Sequence, residues 1–138
     1  MNAWELVTLP HGKKAIGNRW VFTLKSGAKK TNTHVEKARL VARGNHQIQG
    51  VDYEETYAPV IKLVSLRVML TIAAVHDLDL KHWDIVAAFV NGRLSEILYM
   101  QQPHGFKDGS NRVCLLKSSL YGLCQSARAW YSRLDEIL

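Results

Sequence analysis

The chain has 138 residues, 47% hydrophobic and 22% charged, the length and composition of one globular domain. Eighteen Lys and Arg against twelve Asp and Glu leave a net charge of +6, which fits either an acidic partner such as nucleic acid or a plain basic surface. The longest apolar region, Val64 to Val75, holds Arg67 and is too short for a membrane span; two cysteines, Cys114 and Cys124, are too few for a zinc pattern; and no secretory leader opens the sequence, so an intracellular, reduced protein is expected.

Arg19 to Lys25 alternates as a strand does, and 26–33 reads as a turn with Gly27, Lys29 and Lys30 at its tip. Such a tip can touch a phosphate backbone or simply be solvated. The next expected strand is Lys37 to Arg43. Its period of two sets Lys37, Arg39, Val41 and Arg43 on one face and Ala38, Leu40 and Ala42 on the other. Three cations on one strand face repel each other unless water or an anion lies between them. The face is therefore either solvated or phosphate-binding. Residues 50–59 gather Asp52, Glu54 and Glu55 between Gly50 and Pro59, a loop setting that argues for solvated carboxylates. Ser65 can N-cap a helix to about His76, apolar on most sides and so expected to be buried.

The segment 81–90, KHWDIVAAFV, sets Asp84 in an otherwise apolar run that reads as a strand. A carboxylate among apolar neighbours is costly unless something pairs with it. Backbone N–H groups at a strand end would serve, and so would a bound cation. A turn at Asn91-Gly92, a strand at Ile97 to Gln101, a loop at 103–111 and a strand at Arg112 to Lys117 follow. Leu120, Leu123, Ala127, Trp130, Leu134 and Ile137 recur at steps of three and four, so a helix is expected from about Gln125 onward. It lacks a Gly or Asn cap and stops on Ile137-Leu138, which reads as a chain cut inside a larger domain.

Seven segments in order, GNRWVFTLK (17–25), KARLVARGNHQ (37–47), DYEETYAPV (52–60), WDIVAAFVNG (83–92), LYMQQPHGF (98–106), VCLLKSSLYGL (113–123) and QSARAWYSRL (125–134), resemble the N-terminal part of the reverse transcriptase domain of copia-type LTR retrotransposons. They cover nearly the whole chain, and the ordered set is specific to that family. The resemblance implies an α+β partial right-hand polymerase fold: fingers at about 1–76, the start of the palm at 77–100, a return to the fingers at 101–122 and a truncated palm helix at 123–138. It implies RNA-directed DNA synthesis with two divalent cations, Mg2+ or Mn2+, on an RNA template and DNA primer or RNA–DNA hybrid. Deoxynucleoside triphosphates and the rest of the polyprotein would be the other partners, with no membrane, in a cytoplasmic particle.

By the same resemblance Asp84 is the first metal-binding aspartate, assisted by the backbone carbonyl of Ile85. Phe89 stands beneath the incoming sugar, where a ring clashes with a 2′-hydroxyl; an ordinary core Phe is the other reading. Lys37 and Arg39 match the strand that contacts the triphosphate, and Arg43 can meet the template backbone. Tyr121 and Gly122 match the segment that supports template and nucleotide, against the simpler reading of a loop-to-helix turn.

There are departures. Cys124 and Ala127 stand where the family commonly has Lys and Pro, Glu36 where an aromatic is common, and Ile85 where it usually has Val. The family's aromatic-x-Asp-Asp motif does not occur in the 138 residues. One carboxylate cannot hold two hard cations, so the isolated chain is expected not to polymerise DNA. A non-catalytic nucleic-acid-binding remnant, or a decayed insertion without function, is the alternative. Without the missing hairpin the Asp84 strand has an open edge, so the chain is expected to be poorly soluble or partly molten.

Overall fold

The computed structural model describes residues 2–26 and 34–138, which form a mixed structure of two sheets and two α-helices. The strands are β1 (Trp4–Val7), β2 (Ala15–Ile16), β3 (Asn18–Ser26), β4 (His34–Ala42), β5 (Tyr99–Met100) and β6 (Val113–Leu116). The helices are α1 (Leu63–Val75) and α2 (Ser126–Asp135). The first sheet runs β1-β6-β5-β2, antiparallel except for the β2–β5 pair; the second is the β3–β4 hairpin.

The core sits on the first sheet. Ile16, Leu98, Met100, Cys114 and Leu116 pack with Ala42 and with Leu120 and Leu123 of the segment before α2. Met100, Cys114 and Ser119 have no exposed surface. Burial pushes the Cys114 thiol above its ordinary pKa, and the Asp108 charge adds to this. The buried Ser119 hydroxyl is satisfied by donating to Ser126 Oγ at 2.8 Å, while Ser126 donates to the Leu120 carbonyl.

The hairpin matches its alternation. β3 is one residue longer at each end than expected, and β4 begins at His34 and ends at Ala42. Of the expected turn at 26–33, Gly27, Lys29 and Lys30 lie outside the described residues. The other two strands shorten to β5 and β6. Both β1 and β2 escape sequence reading: they are short, and the partner of β1 is more than a hundred residues away.

Three expectations fail. The segment 81–85 is irregular and exposed rather than a strand, and 88–91 is a 3-10 helix. No strand among the described residues pairs with it, and an extended apolar run without a partner has nothing to hold its backbone as a strand. Asn91-Gly92 consequently closes that 3-10 helix, with the Gly92 N–H donating to the Phe89 carbonyl at 3.0 Å, instead of turning a hairpin. The second failure is the Ser65 cap. Lys62 occupies the cap position without a side-chain bond, and Ser65 lies inside the first turn of α1. The third is burial of that helix, where Ala73 alone is buried. No helix among the described residues is long and apolar enough to cross a membrane.

The loop 103–111 is ordered by Asp108. Its carboxylate accepts from Ser110 Oγ at 2.6 Å, Gln102 Nε2 at 2.8 Å and the Ser110 N–H at 2.9 Å, and pairs with Arg112. The Ser110 hydroxyl, then the Gln102 amide, hold its pKa far below the usual carboxylate value. A depressed pKa contributes stability that is present above the unfolded value of about 4 and is lost as pH falls through the folded value. The Ser110 amide resonance should therefore keep its folded position at pH 4 and move only in stronger acid. A midpoint at the ordinary Asp value would contradict this network.

Candidate nucleic-acid interface

The register of the hairpin defines the cationic face. Arg19 pairs with Val41, Val21 with Arg39 and Thr23 with Lys37. Directly paired residues project to the same side of a sheet. Lys37, Arg39 and Val41 therefore share a face, as their alternation predicts, and Arg19 joins them. Arg43 continues the ladder, its N–H donating to the Gly17 carbonyl at 2.9 Å. Lys37 and Arg43 are exposed and Arg39 is half-buried. The opposite face carries Trp20 and Phe22. Trp20 donates its indole N–H to the His104 carbonyl at 3.0 Å, and its ring lies 5.8 Å from Phe106 and 6.3 Å from Phe22.

The C-terminal end of β4 is clamped by the segment before α2. The Ala42 N–H donates to the Tyr121 carbonyl at 2.8 Å. Gly122 has φ +88°, and a Cβ there would stand 2.2 Å from the Ala42 carbonyl oxygen and 2.6 Å from Val41 Cγ1. The close approach that requires this glycine is thus to the chain's own β4. Tyr121 meets Phe89 edge to face, ring centroids 5.0 Å apart, so two expected nucleotide-side aromatics form one pair. Both rings are half-buried. The Ala87 residue that leads into the 3-10 helix of Phe89 is left-handed, φ 52°, and the Asn91 amide holds its carbonyl and that of Val86 at 3.4 and 3.3 Å.

An amide pair that sequence reading missed secures the same junction. Gln47 accepts the Cys124 N–H at 2.9 Å and donates to Gln125 Oε1 at 3.0 Å. Gln125, 3% exposed, donates to the Asp52 carbonyl at 3.0 Å. Both glutamines lie within segments of recognisable pattern, but nothing local marks a surface-type residue as buried. The acidic loop is a loop as expected: Asp52 accepts the Ile48 N–H at 2.8 Å and Glu55 pairs with Arg128 at 2.8 Å.

Asp84 and Ile85 precede the 3-10 helix that carries Phe89. Both are exposed, so Asp84 carries no burial cost of the kind its apolar sequence neighbours suggest. No group of three or more His, Cys, Asp or Glu side chains among the described residues is placed to hold a metal ion. A divalent cation of the Mg2+ or Ca2+ kind takes six or more oxygens. One exposed carboxylate and one carbonyl do not fit a two-cation centre.

The family model for reverse transcriptase (RNA-dependent DNA polymerase) matches residues 1–138. The chain is 41% identical over 137 residues to the retrovirus-related Pol polyprotein from transposon TNT 1-94 of Nicotiana tabacum, covering 98% of the chain and 10% of the relative. It is 43% identical over 140 residues to the corresponding polyprotein from transposon RE1 of Arabidopsis thaliana, covering 99% and 10%. An uncharacterized mitochondrial protein of Arabidopsis thaliana, AtMg00820, matches over 70 residues at 40% identity, covering 51% of the chain and 41% of the relative. The chain thus spans about a tenth of the length of the Pol polyproteins it matches. No solved structure matches it.

Proposed function

We propose, on the premise that this chain belongs to the reverse transcriptase family of copia-type retrotransposon Pol polyproteins, that residues 1–138 supply the nucleotide- and template-facing part of an RNA-directed DNA polymerase. In that reading 1–76 and 101–122 are fingers of a right-hand polymerase, 77–100 begins the palm and 123–138 is a palm helix. The observation that carries it is the junction at the end of β4. There Phe89, Tyr121, Gly122 and Arg43, from three separate segments, are brought to one place by the 5.0 Å ring pair and the 2.8 Å backbone bond. Such a junction can seat a nucleotide sugar against aromatic rings, with cations along β4 for its phosphates and for an RNA template or DNA primer strand.

The chain by itself does not polymerise DNA in this reading, because its donor set does not fit the two cations the reaction requires. Purified 1–138 with an RNA template, a DNA primer, all four deoxynucleoside triphosphates and Mg2+ or Mn2+ should extend no primer. Metal-dependent extension that vanishes in Asp84→Asn would overturn this and make Asp84 catalytic in the fragment. In the longer protein the same substitution should abolish synthesis. A cytoplasmic particle is the proposed location.

A second reading, a non-catalytic nucleic-acid-binding remnant, is favoured by the cations of β4 and the net charge of +6. Single-stranded RNA should bind in a salt-dependent way, unaffected by Asp84→Asn. Replacing Lys37, Arg39 and Arg43 by Ala should lower the salt slope by about 2, at about 0.7 per phosphate contact. An unchanged slope would remove nucleic acid from this face.

A further inference from the structure

The geometry points to a phosphate-binding cleft between β3 and the turn after β4, built by Arg19 and Arg43 with His46. The inference rests on the polymerase-fragment reading and adds Arg19 and His46 to its binding residues.

A cleft of about 490 Å³ opens where the hairpin meets the 44–46 turn. Its charged and titratable lining is Arg19, Arg43 and His46; Asn45 and the Gly122 backbone also border it, and no carboxylate does. Among the described residues neither arginine is paired with an acid. The arrangement follows from register. Arg19 faces Val41, and Arg43 lies one step further along the same side of the ladder. Gly17 leaves room for this: a Cβ there would stand 3.2 Å from Arg43 Cδ, tighter than ordinary contact, so a branched side chain would press on the Arg43 stem.

Two guanidinium groups on one sheet face repel each other, and like charges at such spacing are unfavourable. An anion between them turns that repulsion into attraction. A guanidinium also presents its donors in a fork that matches two phosphate oxygens. The cleft is bordered by Gly122, the residue that follows Tyr121 and packs against the end of β4. A phosphodiester of a nucleic-acid strand and the phosphate tail of a nucleotide share this chemistry.

The test uses the 138-residue chain, with labelled single-stranded RNA in one arm and inorganic tripolyphosphate in the other. Arg19→Ala should weaken binding roughly three- to tenfold and lower the RNA salt slope by about 0.7. Weakening confined to the RNA arm assigns the cleft to a strand backbone; weakening confined to tripolyphosphate assigns it to a nucleotide tail. Gly17→Val should do the same by displacing Arg43, with the circular dichroism of the hairpin unchanged. Arg19→Lys should retain part of the affinity. If Arg19→Ala and Gly17→Val bind both probes as well as the native chain, while Lys37→Ala weakens them, the cleft is a solvated surface and the inference fails with the polymerase-fragment reading intact. If the native chain binds neither probe, both fail together.

Discussion

Gly122→Ala should cost the fold about 3 kcal/mol. Placing a side chain at φ +88° costs about 1–2 kcal/mol, and forcing an atom into occupied space adds about 1–3 kcal/mol. The space is occupied by backbone, the Ala42 carbonyl oxygen at 2.2 Å, in a residue whose N–H is bonded to the Tyr121 carbonyl. Against a total stability of roughly 5–15 kcal/mol this is a large share. Gly12→Ala is the control, because φ there is +78° but nothing lies within 4 Å of the added carbon. Urea unfolding of the two variants should separate them by about 2 kcal/mol. Equal losses would mean that only backbone conformation, and no close packing, joins the Tyr121 segment to β4. The same variant should weaken nucleotide and strand binding together, since Tyr121 and Arg43 lean on the one junction.

The second large effect concerns α1. Val64, Val68 and Val75 on this helix are 68%, 52% and 73% exposed. The stretch from Val60 to Val86 carries more than half of the exposed large apolar side chains of the described residues. Contiguous apolar surface on this scale drives association. The 138-residue chain should bind a hydrophobic dye and sediment as oligomers or larger aggregates. Replacing those three valines with Lys should lower the dye signal and shift the chain toward smaller species with its helix intact, because Lys favours helix more than Val. A native chain that sediments as a dye-silent monomer would sink the prediction. The Lys variant is also the natural background in which to compare the two glycine substitutions.

The behaviour of α1 shows where sequence reading stops. Its residues were legible as helix, and their composition as that of a buried helix, yet burial is a property of neighbours rather than of the helix. The segment around Asp84 fails for the same reason. Its apolar run has strand composition, but a strand exists only against a partner, and none of the described residues supplies one. The β3–β4 hairpin was legible because it carries its own partner a few residues away, and alternation alone then sets its faces. That local signal placed Lys37, Arg39 and Arg43 together. Only the register, Arg19 against Val41, could add Arg19 to them. Tyr121 and Gly122 were singled out by resemblance. What Gly122 approaches, the Ala42 carbonyl, is set by a contact between residues eighty apart, and no pattern announces it.

The pairing of β1 with β6 has a consequence in time. The ribosome releases a chain in N-to-C order at roughly 5–20 residues per second. The hairpin has both its strands once Ala42 is clear, but β1 has no partner until Val113 to Leu116 emerge. For on the order of ten seconds the nascent chain carries an unpaired first strand while the apolar stretch 60–86 is being extruded behind it. A chaperone that holds apolar segments would find its target in that interval, and synonymous codons that slow translation between residues 60 and 112 would lengthen the exposure.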